Sequence, residues 1–261
     1  MTQIAGDADR SMLGMPEIQD LTAAARRHIR LPGLFNLRDV GGYPAAAGGT
    51  VRWRRLFRSD APHMLDGPGV ATLARLDLRT IVDLRTHIEA ELAPSALAGL
   101  PARTARLSLL SGDLQSLPHA LDAIYRYMID ECGETIAAAI KLLCADDAFP
   151  ALVHCSAGKD RTGIVVALVL AVLGVPDEVI AADYALSALN LDPDKTAAIG
   201  QLQASSGLGE NLTVGLLISP PALILDVLDR ARSAGGSVEG YLLDRGLSRA
   251  DLAALRAALA D

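Results

Sequence analysis

The sequence predicts an α/β fold: a central, mainly parallel, twisted sheet of four to five strands flanked by helices, with an all-helical C-terminal half. Three observations carry this prediction. Short apolar runs alternate with helix-length segments through residue 154, which is the pattern of a sheet covered on both faces. No strand-like run follows Asp160. A small-residue loop joins the last apolar run to a long Val/Leu/Ala/Ile segment, and ligands of such sheets sit beyond the C-terminal strand ends.

The elements follow in order. Residues 1–30 are rich in Asp, Ala and Arg with weak periodicity and read as an arm, with an amphipathic helix over Ile18–Ile29. Strands are expected at Leu34–Asp39, Val51–Arg58, Thr80–Leu84, Thr104–Leu109 and Phe149–His154, and helices at Gly69–Leu76, Leu117–Asp130 and Glu134–Cys144. The helical half comprises Gly163–Leu173, Asp177–Leu189, Asp194–Ala204, Pro221–Ala234, Val238–Gly246 and Ser248–Ala260, where Ser248 ahead of Asp251 is a helix start signal. No long Pro/Gly/Ser-rich linker interrupts residues 31–261, so they are expected to form a single domain.

Composition narrows the classes of function. The net charge of −7 argues against a nucleic-acid surface, which needs a basic face, while Lys159, Arg161, Arg58, Arg38 and Arg85 make the central loop locally basic. Three cysteines and five histidines show neither disulfide nor metal-ligand spacing, and no metal or cofactor is expected. The apolar segment Gly163–Val175 is too short to span a membrane, so no transmembrane segment is expected. No cleaved secretion signal is evident, so a cytoplasmic location is the default, with signal-less export left open.

The chemistry concentrates in His154-Cys155-Ser156-Ala157-Gly158-Lys159-Asp160-Arg161-Thr162-Gly163. The first N–H groups of a helix lack intrahelical partners and carry partial positive charge, so a loop feeding into them cradles an oxyanion. Ser156, Ala157 and Gly158 are small enough for successive amides to converge. A cysteine in that field is stabilised as the nucleophilic thiolate, and Arg161 offers a planar fork to two phosphate oxygens. Thr162 is expected to hydrogen-bond the sulfur. A nucleotide-binding P-loop is excluded because Asp160 stands where Ser or Thr must follow Gly-Lys. A rhodanese-like sulfurtransferase and a phospho-ligand-binding pseudophosphatase remain as alternatives.

The segment resembles the signature of a family of bacterial tyrosine phosphatases that includes a secreted mycobacterial tyrosine/phosphoinositide phosphatase and enzymes described as atypical dual-specificity phosphatases. Phe35–Gly42, Leu56–Ser59, Val82–Thr86 with Glu89, Arg126–Met128, Ala182–Tyr184 and Gly236–Leu242 resemble that family's other blocks, in its order. Lys159-Asp160 inside the loop is the distinguishing pair. The resemblance implies a phosphotyrosine-phosphatase-like fold and action on a phosphorylated protein or phosphoinositide, with phosphate, sulfate or vanadate able to occupy the loop. It also implies a helical lid within residues 190–220 and a second phosphate bound by Lys159, read as a flexible cation.

A departing alkoxide or phenolate must be protonated, so a carboxylic acid is required. Asp113 follows the Thr104–Leu109 strand at the sheet edge that carries the cysteine and is the first candidate; Asp160, inside the loop, is the second. His154 is expected to fix loop geometry. Arg38 with Asp39, Arg58, and Asp83 with Arg85 are expected to support the site, the Asp/Arg neighbours as buried braces of the sheet.

Overall fold

The computed structural model describes residues 26–110, 118, 120–191, 197, 199–201, 205 and 218–261. Residues 1–25 of the expected arm, the loop carrying Asp113, and most of the expected 194–204 helix and lid lie outside these residues.

Five strands form one sheet: β1 (Arg38–Asp39), β2 (Leu56–Ser59), β3 (Thr80–Asp83), β4 (Arg103–Arg106) and β5 (Ala151–His154). Their spatial order is β1-β2-β5-β3-β4; only the β1–β2 pairing is antiparallel. All five expected strands exist, shorter than their apolar runs. Edge strand β4 is largely exposed and carries Arg103 and Arg106, charges that discourage pairing with another chain.

Side-chain alternation along the inner strands divides the core in two. Leu56, Val82, Ala151 and Val153 point into a large cluster with the C-terminal helices, whereas Phe57, Ile81 and Leu152 point into a smaller one with Leu34, Leu37, Leu73 and Leu97. Helix α1 (Gly67–Ala74) contributes Leu73 to the smaller layer; Asp66 caps it, accepting from the Gly69 amide. The larger layer is built from α3 (Leu121–Glu131), α4 (Gly133–Leu142), α5 (Asp160–Val172), α6 (Asp177–Asn190), α7 (Pro221–Gly235), α8 (Val238–Asp244) and α9 (Arg249–Leu259).

Helix α5 is buried along its whole length except at Ala171, which explains why its sequence is apolar on every side. Ser248 accepts from the Asp251 amide at the start of α9, as its sequence signal predicts. Helix α2 (His87–Leu92) is absent from the sequence-based expectation. Among the described residues no helix is long and apolar enough to cross a membrane.

Register decides where the chemistry falls. His154 pairs with Ser59 on one side and with Asp83 on the other, and Asp83 pairs in turn with Arg106. The four parallel strands therefore end level, and the chain after each one leaves from the same edge as Cys155. Among the segments leaving there is the one that continues from β4 toward Asp113.

Candidate active site

The loop after β5 is held by its carbonyls. The Ser156 carbonyl accepts from the Ala61 amide at 3.0 Å, and the Ala157 and Gly158 carbonyls accept from Asn36 Nδ2 at 3.0 and 3.1 Å. Arg58 donates to the Gly158 carbonyl at 2.8 Å, and the Gly163 amide to that of Lys159 at 2.7 Å. In a trans peptide C=O and N–H point in opposite directions, so the amides of Ala157, Gly158 and Lys159 are turned away from these donors, toward the inner side of the loop. That orientation is the one an anion cradle would need.

Gly158 is indispensable to this turn. Its φ is +66°, and a Cβ there would lie 2.3 Å from the Ser59 carbonyl carbon and oxygen. Cys155 lies in the buried loop with one per cent of its surface exposed. The loop is shorter than its polar stretch suggests, because α5 already begins at Asp160 and places Asp160 and Arg161 in its first turn.

Arg161 is locked from below. Its guanidinium forks onto both oxygens of Glu89, at 2.6 and 2.8 Å, and the Ser156 hydroxyl donates to the same carboxylate. Burial alone would raise the Glu89 pKa, but Arg161's charge and these hydrogen bonds bring it down to about 2. Burial likewise opposes the Arg161 charge, yet Glu89 holds it firmly protonated. Glu89 reaches this position through a capping box: its carboxylate accepts from the Thr86 amide while the Thr86 hydroxyl accepts from its own.

The opposite flank is organised by Asp183 on α6. Arg38 donates to it at 3.0 Å, Arg58 at 2.6 Å and Tyr43 at 2.9 Å, with Arg38 also bound to Asn36. Burial would raise the Asp183 pKa, but Arg38 and Arg58 hold the carboxyl well below the usual range. Arg38 thus pairs with Asp183, not with its neighbour Asp39 as expected, because successive side chains of a strand face opposite ways. Asp39 instead accepts from the Gly41 and Arg54 amides. Asp83 and Arg85 do form the expected brace, with Arg85 also donating to the Ala93 carbonyl.

His154 stands 3.3 Å from the Cys155 carbonyl and 3.8 Å from Asp83. Burial pushes its pKa down to about 4, so the ring is a neutral strut at pH 7. Thr162 does not bond the Cys155 sulfur; its buried hydroxyl has no hydrogen-bond partner among the described residues. Lys159 is not a flexible cation either. Its side chain is fully buried, with Nζ 3.3 Å from Asp160 Oδ1 and donating to the Ile218 carbonyl at 2.9 Å. Asp160 Oδ1 also accepts from the Tyr125 hydroxyl at 2.6 Å.

The structure brings Cys155, Ser156, Ala157, Gly158, Lys159, Asp160 and Arg161 onto one loop and helix start. Asp113 lies outside the described residues. Sequence reasoning assigned no site role to Glu89, Asn36, Asp183 or Tyr125. Glu89 alone had a local signal, the Thr86-x-x-Glu89 capping box; Asp183 meets Arg38 across 145 positions, which no short-range pattern reports.

The family model described as "Tyrosine phosphatase family" matches residues 29–261. This chain belongs to the tyrosine phosphatase family. It is 32% identical over 276 aligned positions to the Triple specificity protein phosphatase PtpB of Mycobacterium tuberculosis, covering 88% of this chain and 98% of that protein. It is also 32% identical to the Putative tyrosine-protein phosphatase H16_A0669 of Cupriavidus necator, over 88% of each chain. A Tyrosine-protein phosphatase of Nostoc commune is 32% identical over 72% of this chain and 68% of its own length. Among solved structures, P. aeruginosa TpbA aligns at 20% identity over 67% of this chain and 86% of that one, with a TM-score of 0.32, too loose a likeness to bear on the site.

Proposed function

We propose that the protein is a cysteine-dependent phosphatase that hydrolyses phosphate monoesters through a phosphocysteine intermediate, with phosphotyrosine the foremost substrate. Phosphoserine, phosphothreonine and phosphoinositides are further substrates in this reading. The observation that carries it is Cys155 in a loop whose carbonyls are tied outward, beside an arginine locked in bidentate register by a buried carboxylate. Relatives named as triple-specificity and tyrosine-protein phosphatases support phosphatase action with phosphotyrosine foremost.

In the proposed reaction the Cys155 thiolate attacks phosphorus, and the bond to the leaving oxygen breaks. The loop amides and Arg161 stabilise the equatorial oxygens. Asp113 protonates the leaving oxygen, then as carboxylate takes a proton from the water that attacks the phosphocysteine. The S–P bond breaks, the thiolate returns and inorganic phosphate departs. Asp160, at the first turn of α5, orients that water or supplies the proton in place of Asp113. The steps call for no metal or cofactor. To meet a second phosphate on a phosphoinositide, Lys159 has to exchange its bond to Asp160 or to the Ile218 carbonyl for one to the substrate.

Cys155→Ser is expected to abolish turnover of p-nitrophenyl phosphate while retaining vanadate binding; persistent turnover would overturn the mechanism. A phospho-binding pseudophosphatase predicts no turnover by the wild type, and a sulfurtransferase predicts persulfide formed from thiosulfate. Asp113→Asn should flatten the basic limb of the kcat pH profile, where the acid must still be protonated. An unchanged profile transfers that role to Asp160. Comparing phosphotyrosine, phosphoserine and phosphoinositide turnover in wild type and Lys159→Ala tests the substrate range.

A further inference from the structure

Helices α3 and α6 each bury a tyrosine whose hydroxyl meets the other's inside the larger layer. Tyr125 and Tyr184 are each 1% exposed, their rings meet edge to face, and their hydroxyl oxygens are 2.7 Å apart. A phenylalanine pair would fill the same volume without the cost of taking two hydroxyls out of water. The hydroxyl chain leads to one place: Tyr125 donates to Asp160 Oδ1 at 2.6 Å. Burial, and after it the Asp160 charge, raise the pKa of both phenols, so they act as donors throughout the working range.

The packing beneath is shaped to the same end. Tyr184 lies against Gly163, where a Cβ would sit 3.0 Å from the ring carbon Cδ2. Gly163 is three residues beyond Asp160 and so shares its face of α5. Among the described residues the contacts of Asp160 with Tyr125 and Lys159 both fall on Oδ1, which leaves Oδ2 for a reacting group.

We propose that Tyr125, backed by Tyr184, is a positioning residue for Asp160, fixing one carboxylate oxygen so that the other is presented to the water or leaving group at phosphorus. The inference rests on the reading of Asp160 as a reacting carboxyl.

The test is a double-mutant cycle with p-nitrophenyl phosphate. Tyr125→Phe should lower kcat about tenfold, the order of one lost charge-assisted hydrogen bond, with KM within about twofold of wild type. In an Asp160→Asn background the same change should have no further effect. Tyr184→Phe should show the same dependence on Asp160 with a smaller loss, about threefold, and takes the place of Tyr125→Phe in the cycle if that variant does not fold. Unchanged kcat in the tyrosine variant, or a loss that adds fully to that of Asp160→Asn, overturns the proposal. If Asp160→Asn leaves kcat unchanged while Cys155→Ser abolishes it, the reading of Asp160 fails and the phosphatase mechanism stands.

Discussion

Two buried carboxylates grip the Cys155–Arg161 loop from opposite sides, and they grip different things. Glu89 on α2 holds a side chain, the fork of Arg161, together with the Ser156 hydroxyl. Asp183 on α6 holds Arg38 and Arg58, and through Arg58 and Asn36 the backbone carbonyls of the loop. The first flank sets where the Arg161 guanidinium points, and the second sets the shape of the loop. On the proposed function, an anion entering the loop can replace the charge of Glu89 for Arg161. It cannot do so for Arg38 and Arg58, which are buried behind the loop.

The largest effect expected from breaking this arrangement is on the Asp183 side. Asp183→Asn leaves two buried arginines without their shared counter-charge and should cost roughly 3–5 kcal/mol. Chemical denaturation measures this, and saturating vanadate should leave the gap to wild type unchanged.

Acid comes next, and it acts between the flanks before it reaches either carboxylate. His154 is neutral in the fold, with its pKa lowered from 6.5 to about 4, so the unfolded chain binds the extra proton between those values. Stability present above pH 6.5 is therefore lost as the pH falls toward 4, by roughly 3 kcal/mol. His154→Asn should flatten that dependence in melting temperatures recorded across the window. Glu89, whose pKa is about 2, remains ionised throughout it and loses its contribution only as the pH falls from 4.5 toward 2.

Glu89→Gln should cost roughly 2–3 kcal/mol, as for hydrogen bonds to a charged group, and lower kcat/KM about a hundredfold as Arg161 loses its orientation. Its stability gap to wild type should narrow in saturating vanadate; an unchanged gap would erase the distinction between the flanks. Thr86→Ala, which removes only the hydroxyl half of the capping box, should cost about 1 kcal/mol.

Much of this was legible in the chain, and the reasons differ by residue. Strands β2, β3 and β5 and helix α5 announce themselves because burial on both sides demands continuous apolar runs. The turn at Gly158 and the helix start at Asp160 are legible because a small-residue stretch runs directly into an apolar segment. Helix α2 was missed because six residues are too few for a hydrophobic period, although Thr86 and Glu89 carried its start signal. The reach of Lys159 was misjudged because its side-chain environment comes from Asp160 and from Ile218, 59 positions away.

By itself, then, the sequence determined the fold class and the small-residue loop leading into a buried helix, since these depend on local periodicity and neighbouring residues; the level strand ends came from the register. Tertiary structure alone decided which carboxylate serves which arginine. Arg38 lies beside Asp39 yet binds Asp183, and Arg161 lies beside Asp160 yet forks onto Glu89. Pleat and helical rotation carry adjacent side chains in different directions, so the partner that neutralises a buried charge arrives from another element.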